Sequence, residues 1–283
     1  MSPGYFVRHD VLIFGSDPPE VSVLPMATRT ERAMSFGAIA ADYDRLRPSP
    51  PQEAVRWLLP VGCEVAVDLA AGTGLLTRAV AREVSHVIAV EPDARMASVL
   101  RARSPGVHVV SGRGEALPLT SGVADAVLIS SAWHWMDPEL AVPEIARVLS
   151  DCGRFGVIWT SRDRTVDWVA ELDRLRETLT GSEYRRRHRD VHLPAADVFE
   201  NVHDASFTFT RSMATQDLVA MLGTYSGLIT ASQAERHEAL TRAGAALVAR
   251  FGEVTEIEVP MRSVCWRADR VRASGSETQT RGR

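Results

Sequence analysis

Short apolar runs alternate with amphipathic segments between residues 51 and 159. The runs are continuous, which is typical of strands that are buried on both faces of a parallel sheet. In chain order they read EVAVDL, HVIAV, VHVV, DAVLIS and RFGVIW. The segments between them follow a helical period, and Asp137 with Pro138 supplies an N-cap and a first helical position for the last of them. This alternation predicts a doubly wound α/β sheet with right-handed crossovers.

The pattern changes after residue 159. Helical periods occur in RDRTVDWVAELDRLRETL, TQDLVAMLGTYSGL and SQAERHEALTRAGAALVARF, and strand-like segments are DASFTFTRSM and EIEVPMRSVCWRAD. We predict one α/β domain over residues 34–271, with a helical lid inserted at about 162–195, after the fifth strand. Residues 1–33 carry prolines without periodicity, and residues 272–283 are polar, so we expect a poorly ordered arm and a disordered tail.

Composition narrows the class of protein. The chain has 283 residues, of which 45% are hydrophobic and 24% charged, with a net charge of −4. These values are ordinary for a globular domain, and they disfavour nucleic acid or an anionic membrane as a partner. No apolar run approaches the ~20 residues that span a bilayer. Cys63, Cys152 and Cys265 lack zinc or disulfide spacing. We therefore expect a cytoplasmic protein without a metal site.

A glycine-rich turn, DLAAGTGLLT, starts at Asp68 between the first strand and a helix. Such turns commonly hold an anion or a nucleotide. A dinucleotide fingerprint would place its third glycine at Thr77, and a phosphate-binding P-loop would need a lysine. A carboxylate at Asp68 disfavours a pyrophosphate. The spacing of Asp68, Ala70, Gly72 and Gly74 instead favours a cationic ligand that lies against bare backbone.

S-adenosylmethionine has this chemistry, because it carries a sulfonium and a nucleoside but no phosphate. The turn resembles the first motif of class I S-adenosylmethionine-dependent methyltransferases, with Ala70 at a position that is usually glycine. HVIAVEPD, SGRGEALPL, DAVLISSAWHWMDP and FGAIAADYDRLRPSPP resemble other segments of a small-molecule subgroup, similar to type 11 and trans-aconitate methyltransferases. The resemblance implies a seven-stranded Rossmann-like sheet, mostly parallel with one antiparallel strand, and a helical lid.

The same resemblance implies a set of residues that bind the cofactor. They are Tyr43, Asp68, Ala70, Gly72, Gly74, Glu91, Pro92, Gly114, Glu115, Ser130 and Ser131. Glu91 ends the second strand, where a carboxylate can accept both ribose hydroxyls; an acid in Rossmann dehydrogenases plays the same part. Tyr43, together with Arg47, is expected either to close over the cofactor or to bind an anionic substrate.

His134 and Trp135 are the candidate catalytic residues. Histidine can take a proton from a hydroxyl nucleophile, and tryptophan offers an N–H donor and a large face. A packing role for His134 stays open. The expected reaction is methyl transfer to a small-molecule acceptor, at a carboxylate or hydroxyl oxygen. The alternatives are a nicotinamide-dependent oxidoreductase, a non-catalytic binding protein, and methylation of a macromolecule, which the acidic net charge disfavours.

Overall fold

The computed structural model describes residues 35–180, 191, 193 and 198–272. Its strands are β1 Val65–Leu69, β2 His86–Val90, β3 His108–Val110, β4 Ala124–Ser130, β5 Leu149–Arg162, β6 Phe199–Ala214 and β7 Glu256–Arg270. Its α-helices are α1 Ala40–Leu46, α2 Gln52–Leu58, α3 Leu75–Val80, α4 Ala94–Arg103, α5 Pro138–Val148, α6 Asp167–Thr180, α7 Thr215–Leu222, α8 Ser226–Ile229 and α9 Gln233–Phe251. Short 3-10 helices cover Ser35–Ile39 and Trp133–Trp135. The predicted arm, nearly all of the predicted tail and residues 181–190, 192, 194 and 195 of the predicted lid lie outside the described residues.

The strands form a seven-stranded sheet in the order β3-β2-β1-β4-β5-β7-β6. β1 to β5 pair in parallel, and β7 runs antiparallel to both β5 and β6. The predicted sheet, mostly parallel with one antiparallel strand, is therefore confirmed. The strand order reverses between β1 and β4, and the carboxyl ends of the strands open a crevice at such a switch point.

Helices cover both faces of the sheet. On one face α5 buries Ile145 and Val148 against the strands, and on the other α2 and α3 bury Leu58 and Leu76. Because both faces of the central strands are covered, their sequences are continuously apolar. Asp137 caps α5 as predicted, since its Oδ1 accepts a hydrogen bond from the Glu139 N–H at 3.0 Å.

The helices α6 to α9 form a separate layer, here called the helical cap. They share an apolar cluster that also includes Leu46 from α1. α6 follows β5 as the predicted lid does, whereas α7 to α9 enter between β6 and β7. Arg45 pairs with Asp217 at 2.6 Å and so ties α1 to the cap. In the described part of the chain, no helix combines the length and the apolar character that crossing a bilayer requires.

Candidate functional site

The turn after β1 is built from left-handed backbone conformations. The φ angles of Ala70, Gly72 and Gly74 are 55°, 58° and 87°. At Ala70 this conformation costs about 1–2 kcal/mol, because the Cβ crowds the following carbonyl. A Cβ at Gly74 would lie 2.9 Å from Cγ of Leu100, so the start of α3 needs glycine there. The turn thereby brings bare backbone to the edge of the crevice.

Asp68 lies beneath this turn. Its Oδ2 accepts a hydrogen bond from Oγ1 of Thr77 at 2.5 Å, and its Oδ1 has no partner among the described residues. Burial raises the pKa of the Asp68 carboxyl to about 7, although the Thr77 hydrogen bond opposes the shift. Asp68 therefore connects β1 to α3 under the turn.

Glu91 follows β2 and holds the turn from the other side. Its Oε2 accepts from the Gly72 N–H and its Oε1 accepts from the Asp93 N–H, each at 2.8 Å. The side chain is buried, which raises the pKa of its carboxyl. Each oxygen keeps the capacity for a further hydrogen bond. The carboxylate is thus fixed in orientation and still able to accept from a ligand.

A cavity of about 320 Å³ opens at the carboxyl ends of β1, β2 and β4. The predicted residues on its wall are Tyr43, Ala70, Gly72, Glu91, Pro92, Gly114, Glu115, Ser130, Ser131 and Trp135. Asp68, Gly74 and His134 are not part of this wall. Sequence reasoning missed several other lining residues, which are Phe36, Leu69, Met96, Gly112, Arg113, Ala132 and Met136.

The missed residues are mainly apolar or glycine, and such residues carry no chemical signal in a sequence. Phe36 packs edge-on against Tyr43 and Trp135, with ring centroids 5.7 and 6.3 Å apart, and so closes one end of the cavity. Gly114 leaves room for the side chain of Met136, because a Cβ at position 114 would lie 2.7 Å from the Met136 sulfur. The glycine spacing in SGRGEALPL was the available clue to this contact.

His134 and Trp135 share a 3-10 turn but have different surroundings. Trp135 lines the cavity, and the His134 ring packs against it with centroids 4.5 Å apart. Trp133 is buried against Phe155. Of the two candidate catalytic residues, Trp135 is thus the one that the fold places on the cavity wall.

A smaller cavity of about 40 Å³ adjoins the large one. The two share Tyr43, Ala70, Gly72, Ser130 and Ser131. Arg47 and Thr160 belong to the smaller cavity alone. This cavity therefore extends the crevice from β4 toward β5 and brings a guanidinium group to it.

The chemistry of the wall fits S-adenosylmethionine. A fixed carboxylate faces the cavity where a ribose diol needs acceptors, and the glycine turn has no lysine for a phosphate. Aromatic and thioether side chains offer surface for a purine and a sulfur-containing chain. Within the described ranges, no group of three or more His, Cys, Asp or Glu side chains has the arrangement of a metal site.

Comparison with known proteins agrees with this chemistry. Residues 67–157 match a family model described as a methyltransferase domain. An uncharacterized methyltransferase of Mycobacterium tuberculosis is 36% identical over 243 residues, which are 85% of this chain and 98% of that protein. A malonyl-[acyl-carrier protein] O-methyltransferase of Herminiimonas arsenicoxydans is 29% identical over 162 residues, which are 55% of this chain and 62% of that protein.

A solved structure shows the same fold. It is that of a putative type II methyltransferase from Anaeromyxobacter dehalogenans, with a TM-score of 0.63 and 21% identity, over 80% of this chain and 97% of the other. The chain belongs to the methyltransferase family. It is a class I methyltransferase with S-adenosylmethionine as its cofactor. Family membership favours this assignment over the nicotinamide-dependent oxidoreductase that the sequence alone left open.

Proposed function

We propose that the protein transfers the methyl group of S-adenosylmethionine to an oxygen of a small-molecule acceptor, and that this oxygen belongs to a carboxylate. The observation that carries the proposal is the chemistry of the cavity wall. Its carboxylates, Glu91 and Glu115, already accept backbone N–H groups, and His134 is not part of the wall. A carboxylate acceptor suits this wall, because it is ionised at neutral pH and needs no general base.

The cofactor, when bound, supplies an electrophilic methyl group on its sulfonium sulfur. We assign the ribose hydroxyls to Glu91 and the methionine chain to the turn from Ala70 to Gly74. The backbone of Gly114 and Glu115 lies on the side of the adenine. Phe36, Tyr43 and Trp135 cover the cavity, exclude water and align the acceptor. Alignment and exclusion of water are worth about 7–11 kcal/mol of a reaction barrier.

One further point supports an oxygen acceptor, and another disfavours nucleic acid. The Herminiimonas relative is by name an O-methyltransferase. The net charge of −4 gives no general attraction for nucleic acid. A non-catalytic role is the remaining alternative, and a test of turnover separates it from the proposal.

The test is transfer of a labelled methyl group from S-adenosylmethionine to a panel of small carboxylic acids and phenols. We expect a labelled product that mild alkali hydrolyses, as an ester is hydrolysed and an aryl ether is not. Cofactor binding without transfer to any acceptor would support the non-catalytic alternative. Label found only on nitrogen, on sulfur or on a macromolecule would contradict the proposal.

His134→Gln sharpens this test, because the variant removes the one histidine base near the wall among the described residues. Transfer to a hydroxyl through a general base would slow by about 10²–10⁴-fold. For a carboxylate acceptor we expect a loss below about tenfold, from altered packing of Trp135 alone. The measurement is kcat as a function of pH, with wild type and variant assayed on the same acceptor.

A further inference from the structure

The first 3-10 helix, Ser35–Ile39, closes one end of the large cavity and is here called the closing turn. Its Phe36 lies on the cavity wall and packs edge-on against Tyr43 and Trp135. A 3-10 helix of five residues has poor hydrogen-bond geometry and is not stable alone. The position of the closing turn therefore depends on the elements that it contacts, which are α1, α4 and α8 of the cap.

Gly37 is the buried residue of the closing turn, and it lies against an ion pair. A Cβ built on Gly37 would lie 2.1 Å from Oδ2 of Asp93 and 2.6 Å from Cζ of Arg95. Atoms in favourable contact are about 3.5–4.0 Å apart, so the ion pair leaves no room for a side chain at this position. Gly37 does not have a positive φ. Glycine is therefore needed there for close approach and not for backbone conformation.

The ion pair beneath Gly37 is held in one geometry. Nε and Nη2 of Arg95 donate to the two carboxylate oxygens of Asp93 at 3.0 and 2.7 Å. The same carboxylate caps α4, because its Oδ1 also accepts a hydrogen bond from the Arg95 N–H at 2.9 Å. Since a bidentate pair of this kind is planar and specific in orientation, it gives the closing turn a fixed, flat surface.

Asp93 also connects this surface to the wall of the cavity. It is 4% exposed, and its N–H donates to Oε1 of Glu91 at 2.8 Å. The other oxygen of Glu91 accepts from the Gly72 N–H. One buried residue thus joins the surface under the closing turn to the carboxylate that faces the cavity.

We propose that Asp93 and Arg95 are positioning residues, whose ion pair seats Gly37 and so holds Phe36 over the bound cofactor. While the closing turn lies on this seat, Phe36 blocks one end of the cavity, and the cofactor leaves when the turn lifts. Contacts that close over a ligand act mainly on its rate of dissociation. This role concerns the cofactor alone and is the same whichever acceptor is methylated.

The test is the dissociation rate of S-adenosylhomocysteine, measured by surface plasmon resonance on the full chain. Gly37→Ala places a Cβ against the ion pair and lifts the closing turn, so we expect the ligand to dissociate about tenfold faster. Ala38→Ser, an exposed change in the same turn, is the matched control and should stay within about twofold of wild type. An unchanged dissociation rate in folded Gly37→Ala would overturn the proposal.

Arg95→Met tests the seat without adding bulk at Gly37, and it decides the matter if Gly37→Ala folds poorly. It removes the guanidinium fork, so we expect dissociation about three- to tenfold faster than in wild type. Arg95→Lys keeps the charge but lacks the fork, and it should resemble Arg95→Met. Arg101→Met, an exposed change in the same helix, is the control. Wild-type rates in both Arg95 variants would overturn the proposal.

A double variant separates loss of the seat from general damage to the cavity. Phe36→Ala removes the ring and should by itself raise the dissociation rate about tenfold. If the seat acts through Phe36, adding Gly37→Ala to Phe36→Ala changes the rate by less than about twofold, whereas independent effects multiply. Multiplied effects would overturn the proposal, because Gly37 would then act on the cavity by another route.

Discussion

The two sides of the crevice are built in different ways. On the side of β1 to β3, the wall is made of backbone conformation and short-range contacts. Glu91 joins Gly72, 19 residues away, and Asp93, two residues away. On the side of β5 and the helical cap, the wall includes the charged side chain of Arg47, which is held by a residue far away in sequence. Arg47 and Thr224 are 177 residues apart.

This difference separates two tasks. A turn defined by φ angles and backbone hydrogen bonds presents the same surface whatever acceptor is used. A wall of long side chains held by helices of the cap can change without disturbing that turn, since function lies in sites carried by a fold. We infer that the first side serves the cofactor and that the second sets the acceptor. The predictions below test this division, starting with the largest effect.

Asp173→Asn, a substitution on the cap side of the crevice, should lower the stability of the protein most. It removes the carboxylate that pairs with Arg162, whose side chain is 1% exposed, and should lower the free energy of unfolding by about 3–5 kcal/mol. Urea denaturation measures this change. Glu238→Gln is the control, because Glu238 pairs with Arg242 at the surface and its loss should cost below about 1 kcal/mol. If the division holds, the folded variant binds S-adenosylhomocysteine nearly as wild type does. A large loss of affinity would show that the two sides are coupled.

Glu91→Ala should weaken cofactor binding strongly and lower stability less, which is the reverse of what we expect for Asp173→Asn. It removes the proposed acceptor for the ribose and leaves the N–H groups of Gly72 and Asp93 without their partner. We expect affinity for S-adenosylhomocysteine to fall about 100-fold, measured by calorimetry, with stability lowered by about 1–3 kcal/mol. Glu91→Gln retains one oxygen acceptor, so its affinity for S-adenosylhomocysteine should lie between those of wild type and Glu91→Ala. Glu139→Ala, an exposed change in α5, is the control. A loss below tenfold in Glu91→Ala would remove Glu91 from the cofactor site.

Asp68→Asn tests the pH dependence of the cofactor side. The pKa of Asp68 is about 7 in the fold, above its ordinary value of 3.8, because burial disfavours the charge. The carboxyl therefore takes up a proton on folding, and its contribution to stability is full below about pH 4 and lost as the pH rises through about 7. The asparagine carries no such proton. Between these pH values the variant should gain on wild type by about 1.4 kcal/mol for each unit by which the pH rises. Denaturation curves at several pH values check this, and a constant difference would contradict it.

The sequence predicted the parts of the molecule that local rules determine. Continuous apolar runs gave the parallel strands, because burial on both faces removes alternation. An acid directly after β2 is expected in the crevice because the carboxyl ends of parallel strands meet there, and Glu91 lies on the cavity wall. The placement of Ser130 and Ser131 follows from the same rule.

The remaining parts depend on directions and distances that a sequence does not contain. Asp68 lies under the turn because its side chain points toward α3, where Thr77 binds it. Neighbours in a 3-10 turn point about a third of a turn apart, so the spacing could not tell which of His134 and Trp135 faces the cavity. The cluster of Arg47, Arg162 and Tyr225 needs three distant segments to meet, and no periodicity signals such a meeting.

Ala70→Gly should change the stability of the protein least among these substitutions. Ala70 has a φ of 55°, a conformation that costs alanine about 1–2 kcal/mol and glycine almost nothing. The greater freedom of glycine in the unfolded chain opposes about 0.5–1 kcal/mol of this gain, so stability should rise by up to about 1 kcal/mol. Ala71→Gly is the matched control, because Ala71 is buried without a positive φ and should lose stability. Affinity for S-adenosylhomocysteine should stay within about twofold in Ala70→Gly, since the backbone is already in the conformation that glycine prefers. If both variants lost stability equally in denaturation, the turn would store no strain at Ala70.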